Sequence, residues 1–147
     1  MPALILAPGA GERHPLGPSE LVVKAGAQET GGGLYLGEVV LAAGAPGPPL
    51  HRHARMHDLF YVLEGTLTVL VEDAAHELPA GGFALVPPGV AHTVENRSGA
   101  AVRLLNLSTP GGFEAYMREL AQAAAAGLTA EAVAAVAARH DVELVAS

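Results

Sequence analysis

Short runs of apolar residues are separated by glycine- and proline-rich turns between residues 21 and 108. In the run TLTVLVE, Leu67, Val69 and Val71 lie two residues apart, and a period of two is typical of a strand with one buried face. No periodic segment of helical length interrupts this region, so the pattern predicts an antiparallel β-sandwich or barrel. The predicted strands are LVVKAG, LYLGEVVLAA, DLFYVLEG, TLTVLVE, HELPAGG, FALVPPG, AHTVEN and AVRLLNLS.

Two of these runs, DLFYVLEG and TLTVLVE, follow each other directly in the sequence. The first run ends in Glu64 and Gly65, and tight turns favour glycine because it adopts positive φ angles without strain. We therefore predict that the two runs form a hairpin that turns at Glu64 and Gly65.

The pattern changes after Ser108. The segment FEAYMRELAQAAAA has a helical composition and precedes Gly127, a typical helix terminator. Thr129 is placed to cap a second helix, TAEAVAAVAARH, and DVELVA fits a last short strand. We predict one domain over residues 1–147, made of an extended N-terminal arm (1–20), a β-barrel (21–108) and a helical C-terminal appendage (109–147).

Charge and composition narrow the range of partners. The chain of 147 residues has a formal net charge of −7 and one lysine, so it offers no basic stripe for nucleic acid or an anionic membrane. The N-terminus has neither the basic flank nor the long apolar core of a signal peptide. Polar residues interrupt the alanine-rich segment near the C-terminus, which argues against a membrane span. A cytoplasmic protein without a membrane span is therefore expected. The absence of cysteine excludes disulfides and thiolate metal sites.

The segment PLHRHARMHDLFYVLEG carries the most distinctive chemistry. His51 and His53 are two residues apart, so they project to the same side of an extended chain and can reach one ion. Asp58 follows near the start of the next strand, and His92 opens another strand after the turn VPPGVAH. A histidine pair alone is a weak signal, but these four residues together are candidate metal ligands.

The same segments resemble a known family, the cupins. HRHARMHDLFYVLEG resembles the first cupin motif, with Asp58 where the family usually has glutamate and with Gly65 at the matching position. GGFALVPPGVAHTVEN resembles the second motif through Gly81, Pro87, Gly89, His92 and Asn96. The resemblance implies a mostly β fold, an antiparallel double-stranded β-helix (jelly-roll or cupin barrel) with C-terminal helices here, and a metal bound by His51, His53, Asp58 and His92.

The aspartate leaves one alternative open. Asp58 is one methylene shorter than glutamate, and the neighbouring His57 competes for its place. Residues 57 and 58 point to opposite faces of a regular strand, so only one of them can face the site. Alignment from Gly65 favours Asp58; with His57 the site would hold four histidines and no compensating charge.

The resemblance also implies a cofactor and a reaction. Three neutral imidazoles and one carboxylate suit one divalent ion such as iron, manganese, nickel, cobalt or zinc. The tail, TPGGFEAYMREL followed by AARHDVELV, is similar to small cupins grouped with quercetin 2,3-dioxygenase. A metal-dependent dioxygenase-like oxidoreductase acting on a small enolisable, flavonol or catechol-type molecule is thus the first hypothesis, with Asp58 as ligand or base. The alternatives are a non-catalytic module for a small ligand or structural metal, and a metal-dependent isomerase or cyclase.

Other residues are weaker candidates. Phe60 and Val62 have the same strand parity as Asp58, so they are candidates for a substrate pocket. Tyr35, Phe83 and Glu38 are further candidates. Core packing or a surface position explains each of the five as well. Arg103 is a candidate for a substrate carboxylate or an outer-face residue. His14, His76 and His140 are expected at the surface. The resemblance further implies a homodimer.

Overall fold

The computed structural model describes residues 2–146. Strands and turns dominate up to Thr109, and two longer helices follow. The elements are β1 (Glu12–Leu16), β2 (Ser19–Ala25), α1 (Ala27–Thr30), β3 (Tyr35–Leu41), β4 (His51–Arg52), β5 (His57–Glu64), β6 (Thr66–Val71), β7 (Ala74–Pro79), β8 (Phe83–Val86), β9 (His92–Glu95), β10 (Val102–Thr109), α2 (Phe113–Ala125), α3 (Ala130–Ala138) and β11 (Glu143–Leu144).

The strands form two antiparallel sheets. The six-stranded sheet has the order β1-β2-β3-β10-β5-β8, and the five-stranded sheet has the order β11-β4-β9-β6-β7. The predicted mostly β jelly roll with C-terminal helices is therefore confirmed. Its strand order interleaves distant parts of the chain, so residues far apart in sequence meet between the sheets.

The predicted hairpin at Glu64 and Gly65 is wrong. β5 pairs with β10 and β8 in one sheet, whereas β6 pairs with β7 and β9 in the other. Gly65 has a φ of 82°, and a Cβ there would lie 2.8 Å from the carbonyl oxygen of Ala101. The glycine thus permits a sharp bend that passes the chain from one sheet to the other, and the hairpin is instead β6–β7.

The space between the sheets has an apolar end and a polar end. Along β10, Val102, Leu104, Asn106 and Ser108 are buried and alternate with half-buried residues. Val102 and Leu104 join an apolar cluster drawn from both sheets. Asn106 and Ser108 continue the same inward face with polar side chains, and this is the end where the histidines lie.

The helices cover the other part of the six-stranded sheet. Tyr116 and Met117 of α2 and Val136 of α3 pack on Leu21 and Tyr35 of β2 and β3. Thr129 caps α3 as predicted, since its hydroxyl accepts a hydrogen bond of 3.1 Å from the backbone N–H of Ala132. Within residues 2–146, none of the helices combines the length and the hydropathy that crossing a bilayer requires.

The sheet begins earlier than the sequence pattern indicated. β1 lies inside the predicted arm and pairs with β2. His14, expected at the surface, is only 7% exposed. Arg118 of α2 reaches Glu12 at 2.9 Å, and Glu12 accepts a hydrogen bond of 2.7 Å from the His14 ring, so this edge is covered by the helix.

Candidate metal centre

Four side chains from three strands and one loop converge at the polar end. His51 lies on β4 directly opposite His92 of β9, His53 follows β4, and Asp58 faces inward from β5. All four are at most 7% exposed, and each offers a ligand atom within 4.8 Å of the others'. The structure therefore brings together the four residues that the sequence indicated as metal ligands.

Hydrogen bonds to the backbone orient all three imidazoles. Nδ1 of His51 lies 2.8 Å from the carbonyl oxygen of Pro49, and Nδ1 of His92 lies 3.0 Å from that of Val90. Nδ1 of His53 lies 2.5 Å from the carbonyl oxygen of Asp141. A carbonyl oxygen can only accept, so each Nδ1 carries the proton, and in the neutral ring Nε2 keeps a lone pair for a metal.

The two oxygens of the Asp58 carboxylate have different partners. Its Oδ2 lies 3.0 Å from Nε2 of His92 and 3.3 Å from Nε2 of His53. Its Oδ1 accepts hydrogen bonds from the Asn106 amide at 2.7 Å and from the Ser108 hydroxyl at 3.5 Å. Asn106 and Ser108 thus hold one oxygen outside the cluster and direct the other into it.

The charge balance of the cluster favours a cation. Burial would raise the pKa of Asp58, but hydrogen bonds from His53 and His92 outweigh burial and lower that pKa to about 2. Burial lowers the pKa of His51 to about 4, so its ring is neutral at pH 7. Burial would also lower the pKa of His53, but its hydrogen bond with Asp58 outweighs burial and raises that pKa. A hydrogen bond from Nε2 of His53 or His92 to Asp58 needs a proton at the position that a metal would otherwise occupy.

The donor set fits a divalent ion. Neighbouring ligand atoms at about 2.1 Å from one ion in octahedral geometry lie about 3.0 Å apart, and the Asp58 oxygen has this spacing to two imidazole nitrogens. Nitrogen and carboxylate donors suit zinc and the later divalent transition metals, and one carboxylate compensates half of the charge.

Three of the remaining predicted site residues, Phe60, Val62 and Tyr35, are buried. Phe60 and Val62 face inward as their parity indicated, and the Phe60 ring centroid lies 6.1 Å from that of His92. Tyr35 is also buried, but it packs under α2 against Phe113. Burial, with the Asp58 and Glu114 carboxylates, raises the pKa of the Tyr35 hydroxyl, which has no hydrogen-bond partner within residues 2–146.

Three candidates lie away from the cluster. His57 is exposed on the opposite face of β5 from Asp58, so the alternation of the strand excludes it as the fourth ligand. Phe83 is 54% exposed on the outer face of β8, opposite Tyr61. Glu38 lies on the outer face of β3 and binds Arg103 at 2.9 Å, which also places Arg103 outside. Neither Phe83 nor Glu38 lines the site, contrary to the prediction.

The sequence interpretation missed three residues that support the site: Asn106, Ser108 and Asp141. For the first two a signal existed, because the alternation in AVRLLNLS places them on the same face as Val102 and Leu104, where a polar side chain needs a partner. Asp141 carried no such signal, since it follows α3 and reaches the site only through the fold.

We expect Asn106→Ala to weaken metal binding about 10- to 100-fold, the range typical of residues that orient a ligand. The reason is that Asp58 Oδ1 loses its shortest hydrogen bond and the carboxylate becomes free to rotate. Zinc affinity, measured by competition with a chromophoric chelator, checks this. Thr109→Ala, on the outer face of the same strand, is the control and should bind zinc like wild type. An affinity of Asn106→Ala within about twofold of wild type would contradict the orienting role.

Comparison with known proteins connects this geometry to a family. Residues 37–108 match the profile described as Cupin domain. Over 96 residues, or 64% of this chain, the sequence is 35% identical to quercetin 2,3-dioxygenase from Bacillus subtilis. An RmlC-like cupin from Shewanella frigidimarina has a similar structure, with a TM-score of 0.65, 22% identity, and coverage of 77% of this chain and 96% of that one. KdgF from a Halomonas species has a TM-score of 0.61 at 21% identity, with coverage of 71% and 90%.

The sequence relatives are longer than the matched region. The match covers 28% of the Bacillus dioxygenase. A second match, 28% identical over 61 residues, is an uncharacterized protein of Methanocaldococcus jannaschii and covers 42% of this chain and 49% of that protein. The chain therefore spans half or less of the curated relatives that it matches.

Proposed function

The chain belongs to the cupin superfamily, and we propose that it is a metal-dependent oxidoreductase that combines dioxygen with a small enolisable, flavonol or catechol-type molecule. One observation carries the proposal: three imidazole Nε2 atoms and one carboxylate oxygen converge, with every Nδ1 already engaged by the backbone. The 35% sequence identity with a dioxygenase over 96 residues supports this reaction class over others.

In this proposal His51, His53, Asp58 and His92 hold one divalent ion. Bound there, the ion would supply Lewis acidity toward a substrate oxygen. Asp58 acts as a ligand through Oδ2, because Asn106 and Ser108 hold Oδ1 and direct Oδ2 into the cluster. The rings of Phe60 and Phe113, 6.1 and 6.4 Å from His92 and His53, limit the access of water.

A structural metal centre is the second candidate. The specific observation in its favour is burial, since all four proposed ligands are at most 7% exposed. A buried ion that holds three strands and a loop together stabilises the folded state, because the unfolded chain does not offer a preformed site. This role requires no substrate access to the cluster.

The decisive experiment measures turnover and stability on one preparation. Protein purified without a histidine tag is assayed under air with flavonols, catechols and enediols, before and after removal and re-addition of metal. We expect substrate loss with oxygen consumption, reduced at least about 100-fold by metal removal, as expected when the ion supplies the transition-state charge stabilisation. Equal conversion under nitrogen would instead indicate the isomerase or cyclase class. No turnover by fully loaded protein, together with a melting temperature that falls on metal removal, would establish the structural role.

The homodimer implied by the resemblance and the expected cytoplasmic location remain predictions. Light scattering on the same preparation gives the molar mass and decides the first. Fractionation of the source cells decides the second.

A further inference from the structure

A cavity of about 410 Å³ lies beside the metal centre. It is bounded by the loop before β5, by the connection from β10 to α2, and by the segment between α3 and β11. The four proposed metal ligands do not line it. The residues that do are Arg55, Met56, Pro110, Gly111, Gly112, Phe113, Tyr116, Arg139, His140, Asp141 and Val142.

Arg55 gives this cavity an uncompensated positive charge. Within residues 2–146, every other arginine and the single lysine has a carboxylate oxygen within 4.0 Å, and Arg55 has none. Acidic residues outnumber lysine and arginine by 15 to 8 in this chain. An arginine without an acidic partner is therefore unusual here, and this exposed residue lines the cavity.

The other charged groups of the lining already have partners. The Asp141 carboxylate accepts hydrogen bonds from the backbone N–H groups of Ala54, Arg55 and Met56, at 2.6, 3.0 and 3.0 Å. Arg139 is paired with Glu119 at 2.8 Å. These pairings leave the Arg55 guanidinium as the group available to a ligand.

A second polar group of the lining lacks a partner. Nε2 of His140 is buried and makes no hydrogen bond within residues 2–146, although it lies 3.3 Å from a Glu119 oxygen. A buried polar atom without a partner costs free energy unless a ligand or water satisfies it. Because Glu119 already lies next to this nitrogen, the unpaired guanidinium of Arg55 is the polar group of the lining that is free for a ligand.

The rest of the wall is apolar and points to the kind of ligand. Met56, Phe113, Tyr116 and Val142 provide aliphatic and aromatic surface. A pocket of this volume that combines apolar side chains with charged groups such as Arg55 can hold a small amphipathic molecule. The Asp141 carboxylate in the same lining disfavours a phosphate dianion, whereas a singly charged group is tolerated beside Arg55.

We propose that this cavity binds a small organic monocarboxylate. Its carboxylate pairs with the Arg55 guanidinium, whose planar fork of donors matches two carboxylate oxygens. Its hydrocarbon or aromatic body lies against Phe113 and Tyr116. The site does not depend on the proposed reaction, because the metal ligands form no part of it.

The ligand would nevertheless lie against the wall of the metal centre. The Phe113 ring centroid is 6.4 Å from that of His53, and the Asp141 carbonyl oxygen accepts the His53 Nδ1 hydrogen bond. A carboxylate in the cavity therefore contacts the residues that hold His53 in place.

Calorimetric titration tests the proposal with 3-phenylpropionate, the matched neutral alcohol 3-phenylpropan-1-ol, and inorganic phosphate. Each probe is titrated into protein as purified and after chelator treatment. Arg55→Gln removes the charge, and Arg55→Lys keeps the charge but loses the fork of donors. Arg97→Gln is the matched control, because Arg97 is exposed and paired with Glu95.

We expect 3-phenylpropionate to bind wild type and Arg97→Gln equally, and Arg55→Gln about tenfold or more weakly, since a charge-assisted pair is lost. Arg55→Lys should fall between them, and the alcohol should not distinguish wild type from Arg55→Gln. Nuclear Overhauser effects from the probe to the rings of Phe113 and Tyr116 should place it in the cavity. The chain has three Phe and three Tyr residues, so these signals can be assigned.

Three results would overturn the proposal. They are equal affinity of wild type and Arg55→Gln, tighter binding of phosphate than of the carboxylate, and no saturable binding of the carboxylate. Binding that disappears with the metal while the fold is retained would place the carboxylate on the ion, which also overturns it. Binding retained by metal-free protein supports the cavity site even if the proposed reaction fails.

Discussion

Asp58→Ala protein, purified without a histidine tag, should contain less than about a tenth of an equivalent of metal, whereas wild type should contain about one equivalent. The substitution removes the one anionic donor of the cluster. Three neutral imidazoles then leave the full charge of a divalent ion uncompensated in a site whose side chains are at most 7% exposed. Elemental mass spectrometry on freshly purified protein gives the content directly.

His57→Ala is the matched control for this experiment. His57 precedes Asp58 but is exposed on the opposite face of β5, so its removal should leave the metal content at the wild-type value. Circular dichroism establishes that both variants are folded. A full complement of metal in folded Asp58→Ala, or its loss in His57→Ala, would refute the proposed ligand set.

Asp141→Ala should reduce the free energy of unfolding by about 3 kcal/mol, because three backbone N–H groups lose a charged acceptor. The Asp141 carboxylate binds the N–H groups of Ala54, Arg55 and Met56, which lie between His53 and β5. It thereby ties the C-terminal segment to the loop that carries one proposed ligand. Urea-induced unfolding at pH 7 measures the change.

The same variant has an expected pH dependence. Burial would raise the pKa of Asp141, but the three backbone hydrogen bonds outweigh it and lower that pKa. A carboxyl whose pKa is lowered in the folded state stabilises the fold at pH values above its unfolded-state pKa. It loses that contribution as the pH falls through its folded-state pKa. The difference between wild type and Asp141→Ala should therefore be full at pH 7 and shrink below about pH 4.

Asp73→Ala provides the comparison for Asp141→Ala. Asp73 is exposed in the turn between β6 and β7, and its replacement should change stability by less than about 0.5 kcal/mol. If Asp141→Ala were no less stable than Asp73→Ala, the link between the C-terminal segment and the metal-site loop would not contribute to the fold.

The local sequence pattern was sufficient for most strands between residues 21 and 108, for the two C-terminal helices and for the histidines of the cluster, but not for β1 or α1. The period of two predicted the strands, and Gly127 and Thr129 marked the helix boundary that the structure has. Parity showed that only one of Asp58 and His57 can face the site, because neighbouring strand residues must face opposite sides. The choice of Asp58 came from alignment to the cupin motif at Gly65.

The partners of these elements were decided by contacts between distant residues. Glu64 and Gly65 looked like a hairpin turn because local sequence encodes a bend but not the sheet that the next strand joins. Phe83 was expected in the substrate pocket because it is aromatic, but it is exposed. The alternation of a strand assigns residues to two faces without telling which face is buried. Both errors arise because burial depends on what packs against a strand.

The supporting residues were likewise beyond local reasoning. Asn106 reaches Asp58 across 48 positions of sequence, and the Asp141 carbonyl reaches His53 across 88. Only the tertiary structure creates these hydrogen bonds, the cavity beside them and the isolation of Arg55. The groups that could bind a metal were recognisable in the sequence. Their orientation follows from the fold, because it comes from partners that are close only after the sheets and helices have packed.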